Sequence, residues 1–447
     1  VLGLLFRWLG RRSKNRYMSR TDNFLVVVVS WIVLTAIGTI PFVFVAGMDV
    51  SAAFFETMSG FTTTGATSIH DIDGLTHGIK FWRSVLQWMG GLGIVVFSIA
   101  LIPSYEMRNN SIFSAEVPGV EMDKLRPRIA STARRLLLIY LTLSLACALA
   151  YWAGPMNLFD AVCHSMTTIA TGGFSTHTES IAYFHSTYLE YIAPLFMILS
   201  GVNFSLYYYM TIRRPQVLFR NEEFRTFLSI TACMVVFFVL LFYFAPVPPE
   251  NLASVPQGFE ERLRSAWFHV ASNITSTGYS SQKFDYVAWG AAFWMPTVLI
   301  MGIGSCAGST AGGIKIIRLL ISVKTAFNEF VRQLHPRAVL SVRVNGQVIS
   351  NDLIRRTLSF IIIYTLLVVA GMVAYTYMGL DVDTGLGSCI SMLSNVGPGT
   401  GLTGPASNFD HVPAAGKWLM SFYMLVGRLE IYSVLFLLMP GYWKERR

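Results

Sequence analysis

Long apolar runs separated by short polar connections fill most of the 447-residue chain. The runs lie at 24–46, 81–102, 136–152, 188–210, 226–244, 287–302, 358–377 and 418–439. Most hold about 17–23 residues, enough for a helix to cross a hydrocarbon core of ~30 Å. A transmembrane strand would instead alternate apolar and polar positions. The pattern therefore predicts an all-α chain with eight crossings. The run from 287 is short and gives way to a glycine-rich segment. A more polar helical stretch follows at 314–334, so the two read as one long helix interrupted within the membrane.

The outer connections, after runs one, three, five and seven, are alike. Each starts with an amphipathic stretch too short to span and then turns at a glycine: FFETMSGFTTTG (54–65), AVCHSMTTIATG (161–172), WFHVASNITSTG (267–278) and LGSCISMLSNVG (386–397). The glycines 65, 172, 278 and 397 are 107, 106 and 119 residues apart. This is a fourfold internal repeat of helix, half-helix, glycine turn and helix. Four loops re-entering from one side favour a common axis.

Charge placement sets the orientation. The amino-terminal arm, the connections 103–135, 211–225 and 315–356, and the tail after Pro440 hold 27 Lys and Arg against 10 Asp and Glu. The opposite side holds 6 basic and 14 acidic residues. The first group is cytoplasmic by the positive-inside rule. The net charge of +9 is thus topology, not a nucleic-acid surface. The acidic outer face attracts cations. Charged residues make up only 13% of the chain, about half the usual share of ~25%. That excludes a disordered chain and an ordinary cytosolic enzyme. The five cysteines form no CxxC pair, so neither a disulfide framework nor a zinc site is readable.

Three elements carry candidate chemistry. Aligned on the repeated glycine, the turns read Thr63, Thr64, Gly65; Ala170, Thr171, Gly172; Ser276, Thr277, Gly278; and Asn395, Val396, Gly397. Glycine permits the dihedrals of a filter turn. Four such strands would present rings of carbonyls in place of a cation's water shell. The bland alternative is four helix-capping glycines in ordinary loops, and their common register argues against it. The second element is GIGSCAGSTAGGIK (302–315), with Gly302, Gly304, Gly308, Gly312 and Gly313 interleaved with small residues such as Ser309 and Thr310. Irregular backbone at membrane depth survives only where it lines water or is buried in protein. A mobile gate beneath the filter is the functional reading, a packing kink the bland one. The third is Arg428, about ten residues into the last run. A charge there costs roughly 2.5–3.5 kcal/mol on insertion scales, so it faces a pore or a partner. Glu430, two residues on, points about 200° away on a continuous helix and cannot pair with it.

At these residues the chain resembles the TrkH/KtrB family of potassium uptake proteins. The match runs through FFETMSGFTTTGAT, RSVLQWMGGLGIVV, TTIATGGFS, SNITSTGYS, CAGSTAGGIK, HPRAV, LSNVGPGTG and GRLEIYSVL, and is closer to the TrkH branch. The resemblance implies a potassium-channel-like fold of four helix–pore-loop–helix repeats. They would span 24–102, 103–210, 211–334 and 335–447, after a cytoplasmic arm or helix remnant at 1–23. It also implies a homodimer in a bacterial inner membrane, K⁺ bound at the filter carbonyls, and a gate at 302–313 with Arg428. A cytosolic, nucleotide-binding TrkA-like subunit would regulate that gate; this chain would hold no cofactor of its own. The connection 315–356, about 40 residues, exceeds what a short link needs and suits such docking. The rival function is an H⁺- or Na⁺-coupled carrier. Carriers favour intramembrane carboxylates, and only Glu430 lies deep in a run. No clustered nucleophile, base or metal set suggests an enzyme.

Overall fold

The protein is described here by a computed structural model. It covers residues 20–109, 126–211, 216–281 and 286–444. The arm expected at 1–23 lies outside the described residues up to position 19.

Each quarter begins with an outer helix: Arg20–Gly38, Arg126–Trp152, Glu222–Phe244 and Asn351–Tyr377. Four segments within these quarters are long and apolar enough to cross a membrane. Apolar side chains such as Leu145, Val236 and Ile362 point outward, while Thr57, Ser59, Thr168, Ser272 and Ser391 are buried. Apolar outside and hydroxyl-rich inside is the pattern of a chain whose solvent is lipid. The protein is therefore a membrane protein.

A short buried helix follows in each quarter: Val50–Phe61, Leu158–Ile169, Phe259–Ile274 and Val382–Ser394. At 1.5 Å per residue the longest of these, 16 residues, reaches only about 24 Å. The first two start at side-chain caps, Asp49 accepting from the Ser51 amide and Asn157 from that of Asp160.

The inner helices differ from the expectation of straight crossings. That of the first repeat, His77–Asn109, is continuous over 33 residues. The second breaks between Thr187–Gly201 and Phe204–Thr211, bent by 92°. The third splits into Ala291–Gly302 and Ile316–Leu334, as expected. The fourth breaks between Ala414–Arg428 and Tyr432–Leu438, bent by 120°. At the second break the chain gives room to the glycine-rich loop: a Cβ at Gly201 would lie 2.8 Å from Ser305 Oγ. At the fourth, Glu430 and Ile431 both adopt positive φ, 58° and 56°. Both runs are apolar on either side of the break, which holds Asn203 in one and Arg428 and Glu430 in the other, so averaged hydropathy does not register the bend.

One apolar core joins repeats two and three around Phe204, Phe227, Tyr279 and Trp289. A second joins repeats four and one around Phe55, Tyr375, Cys389 and Met424. Gly90 lets the first inner helix touch its pore turn, since a Cβ there would sit 1.9 Å from the Phe61 carbonyl oxygen. The connection 315–356 is not loose. Nearly half of it is the helix Ile316–Leu334, followed by a hairpin pairing Arg343–Val344 with Gln347–Val348.

Candidate functional site

The four short helices converge on four turns of one conformation. Just past each helix comes a left-handed residue: Thr63, Thr171, Ser276 and Asn395, with φ of 51°, 53°, 51° and 54°. Two positions later stands a glycine of positive φ: Gly65, Gly173, Gly278 and Gly397, at 86°, 75°, 78° and 109°. The residue between donates its amide five residues back, Thr64 to Ser59, Gly172 to Thr167, Thr277 to Ser272 and Val396 to Ser391, at 2.8–2.9 Å.

This corrects the register of the second repeat. Its turn is Thr171, Gly172, Gly173, and Ala170 caps the helix above it. Thr-Gly in ATGGF mimics the Thr-Gly of the first and third turns, and aligning on that pair selects the wrong glycine.

The turns close into a ring. A Cβ on Gly65 would lie 2.1 Å from the carbonyl oxygen of Gly172, and one on Gly173 would lie 1.9 Å from that of Thr277. One on Gly278 would meet Val396 O at 1.9 Å, and one on Gly397 would meet Thr64 O at 2.7 Å. Each repeat thus seats its glycine on the backbone of the next, in cyclic order. A side chain at any of the four would both strain the backbone and split the ring.

Side chains outside the turns hold them. Gln87 Nε2 donates to Gly172 O at 2.7 Å, and its Oε1 accepts from the Phe174 amide at 3.0 Å. Ser391 Oγ accepts from the Gly397 amide, and Asn395 Nδ2 bridges Thr64 Oγ1 and Met424 O. Arg83 and Glu56 form a fully buried pair at 2.9 Å. Arg83 also donates to Ser175 O at 2.8 Å and lies over the Phe174 ring, while Glu56 accepts from the Ser68 amide. Repeat one therefore braces the exit of turn two. The sequence reading counted Arg83 and Glu56 as outer-face charges and passed over Gln87. Gln87 did leave a signal, a lone amide in an apolar run.

Beneath the ring lies the loop 302–313. Its neck is closed by Gly304 N to Ile314 O at 2.9 Å and Ile314 N to Gly302 O at 3.0 Å. Its hydrogen bonds reach the second and third quarters. Thr310 Oγ1 donates to Ile169 O, Gly312 N donates to Ser276 Oγ at 2.7 Å, and Gly308 O accepts from the Phe204 amide. Ser309 bonds within the loop, to Cys306 O. Gly312 is required by proximity: a Cβ there would fall 2.0 Å from Ser394 O. Arg428 is buried and is the last residue of its helix, not a mid-helix residue. Its guanidinium donates to Thr310 O at 2.6 Å and to Gly90 O at 3.4 Å, fastening the loop to repeats four and one. With the helix broken, Glu430 faces Arg318 at 2.6 Å. Arg428, Lys315 and Arg318 line a cavity with Gly308, Gly312 and Gly313.

On the outer face His177 bridges Asp73 at 2.6 Å and Asp160 at 3.3 Å and stacks on Tyr183. Burial lowers its pKa, but hydrogen bonds to the two carboxylates outweigh this and hold it above its ordinary value.

A sequence model of the TrkH family, described as a cation transport protein, matches residues 5–443. The chain belongs to the TrkH family. It is 38% identical to the Trk system potassium uptake protein TrkH of Escherichia coli (strain K12), covering 100% of this chain and 90% of that protein. It is 35% identical to the TrkH of Halomonas elongata, covering 98% and 89%. The crystal structure of the potassium transporter TrkH from Vibrio parahaemolyticus matches with a TM-score of 0.86 at 34% identity, over 99% of this chain and 91% of that one. The channel-like membrane fold expected from the sequence is thus the TrkH fold.

Proposed function

We propose that this chain is the K⁺-translocating membrane subunit of an uptake system in a bacterial inner membrane. The observation that carries the reading is the cyclic ring of glycine-on-carbonyl contacts. A ring of backbone oxygens at fixed spacing replaces the hydration shell of a monovalent cation without charged groups. K⁺ would bind the backbone of Thr63, Thr64, Gly65; Thr171, Gly172, Gly173; Ser276, Thr277, Gly278; and Asn395, Val396, Gly397. The names of the relatives support K⁺ as the ion. Two buried oxygens, Thr63 Oγ1 and Asn395 Oδ1, lack a hydrogen-bond partner among the described residues, which suits a hydrated ion's approach.

The loop 302–313, fastened by Arg428, is the gate in this reading. K⁺ moves down its electrochemical gradient, which contributes about 2.3 kcal/mol per charge per 100 mV. The Trk system name supports work beside other components, and a cytosolic nucleotide-binding subunit and a homodimer complete the proposal. The chain carries no enzymatic step in this reading. The test is Rb⁺ uptake into proteoliposomes under an imposed inside-negative potential, with and without pH and Na⁺ gradients. Uptake driven by potential alone and competed by K⁺ is the expected result. Uptake that requires a pH or Na⁺ gradient supports a coupled carrier instead.

A further inference from the structure

Two adjacent carboxylates, Glu222 and Glu223, open the helix Glu222–Phe244. The helix start is fixed by Asn221, whose Oδ1 accepts from the Phe224 amide at 2.9 Å. Side chains at successive helical positions diverge by about 100°. Here they reach two different structures.

Glu222 faces the basic, cytoplasmic side. Its Oε1 accepts from the Asn345 amide at 3.1 Å, and its own amide donates to Asn345 Oδ1 at 2.7 Å. Its Oε2 pairs with Lys324, which also donates to Arg343 O at 2.7 Å. Asn345 and Gly346, with φ of 51° and 78°, form the hairpin's tight turn. The tip of the hairpin is therefore latched to residue 222 by two reciprocal hydrogen bonds. Glu223 points the other way and is buried. Its Oε1 accepts from the Ala307 amide, inside the loop 302–313, at 2.7 Å. Hydrogen bonds to a charged acceptor are the strong ones.

We propose that Glu222 and Glu223 act as a relay, in which the position of the cytoplasmic hairpin 343–348 sets the hold of Glu223 on the loop. Displacing the hairpin tip pulls on residue 222, turns the first helical turn, and withdraws the carboxylate from Ala307. The partner surface is then the exposed hairpin, and a regulator that grips it needs no contact with the pore. Glu223 is a positioning residue that acts through the loop. The inference deepens the gate reading above and rests on it for its effect on flux.

Hydrogen exchange of loop peptides, read by mass spectrometry on the full chain in detergent or nanodiscs, tests the relay without using flux. Lys324→Ala and Asn345→Ala cut the latch far from the loop, and Glu223→Ala removes the inner contact. All three are expected to speed exchange over 302–313 roughly 10-fold, about what loss of one charge-assisted hydrogen bond produces. The double variant Asn345→Ala/Glu223→Ala is expected to be no faster than Glu223→Ala alone. A purely structural hairpin would lower the melting temperature and leave loop exchange at the parent rate, and that result overturns the relay. Where Asn345→Ala does not fold, Lys324→Ala, a half-exposed side chain, decides alone. Deleting residues 304–311 and measuring Rb⁺ flux is the separate control. Unchanged flux there removes the gate reading, while faster loop exchange in the latch variants still supports the relay.

Discussion

Gly172 and Gly173 are adjacent and chemically identical, yet the structure gives them opposite tolerances. Gly173 has φ of 75°, where any other residue pays about 1–2 kcal/mol. An alanine Cβ there would also sit 1.9 Å from the Thr277 carbonyl oxygen, whereas ordinary contact begins near 3.4 Å. The obstacle is backbone of the neighbouring turn, so relief requires the ring itself to open. If about 2 kcal/mol of that strain appears as lost discrimination, the K⁺/Na⁺ permeability ratio falls roughly 30-fold. Gly172 lacks the left-handed φ, and its added Cβ would meet Gln87 Cδ at 2.4 Å and Oε1 at 2.5 Å. That obstacle is a side chain, and Gln87→Ala removes it. Reversal potentials in planar bilayers give the ratio for each variant. Gly173→Ala should lose selectivity, and adding Gln87→Ala should make it worse. Gly172→Ala should add nothing to the defect of Gln87→Ala. A selective Gly173→Ala beside a Gly172→Ala that Gln87→Ala leaves equally impaired would refute the register.

Glu56→Gln leaves Arg83 buried and unpaired, which costs about 3–5 kcal/mol; thermal unfolding in detergent should show a large drop, and an unshifted melting temperature would contradict the bracing role. Arg428→Ala removes the guanidinium tie between Thr310 O of the loop and Gly90 O of the first inner helix, so Rb⁺ flux should rise above the parent, in the direction of the 304–311 deletion; flux no faster in either variant counts against a gate there. His177 holds its proton above its unfolded value of about 6.5. The stabilisation is therefore full below that pH and is lost as pH rises through the raised folded value. The parent's melting temperature should fall as pH rises above about 6.5, and His177→Ala should flatten that slope; an equal slope in both proteins would discard the bridge as its source.

The repeat architecture was legible because it is written in hydropathy and glycine spacing, which local chemistry dictates. Outer helices need apolar faces along their whole length, and a filter turn needs glycine. The glycine-rich break at 302–315 was legible for the same reason. Breaks at Gly201 and Arg428 were not, because each run stays apolar on both sides of its break and the cause is another segment, the loop packed into the gap. The Gly172 register failed on a local ambiguity that the backbone of Thr171 and Gly173, and the contact of Gly173 with Thr277 of the next turn, resolve. Glu56 with Arg83, and Glu223 with Ala307, are long-range pairings of ordinary residue types. Nothing in their neighbourhoods marks them.

The three broken inner helices have a mechanical consequence. A pore that pinches shut at its cytoplasmic mouth needs four stiff levers crossing there. Among the described residues only His77–Asn109 is such a lever; its counterparts are cut at Gly201, Gly302 and Arg428, beside the loop under the ring. A lever with a joint at that level cannot carry torque from the cytoplasmic end to a constriction. In the gate reading proposed above, opening and closing would then be decided close to the ring, by displacing a plug a few residues long, and the lower halves of the helices would be free to serve as a mounting plate.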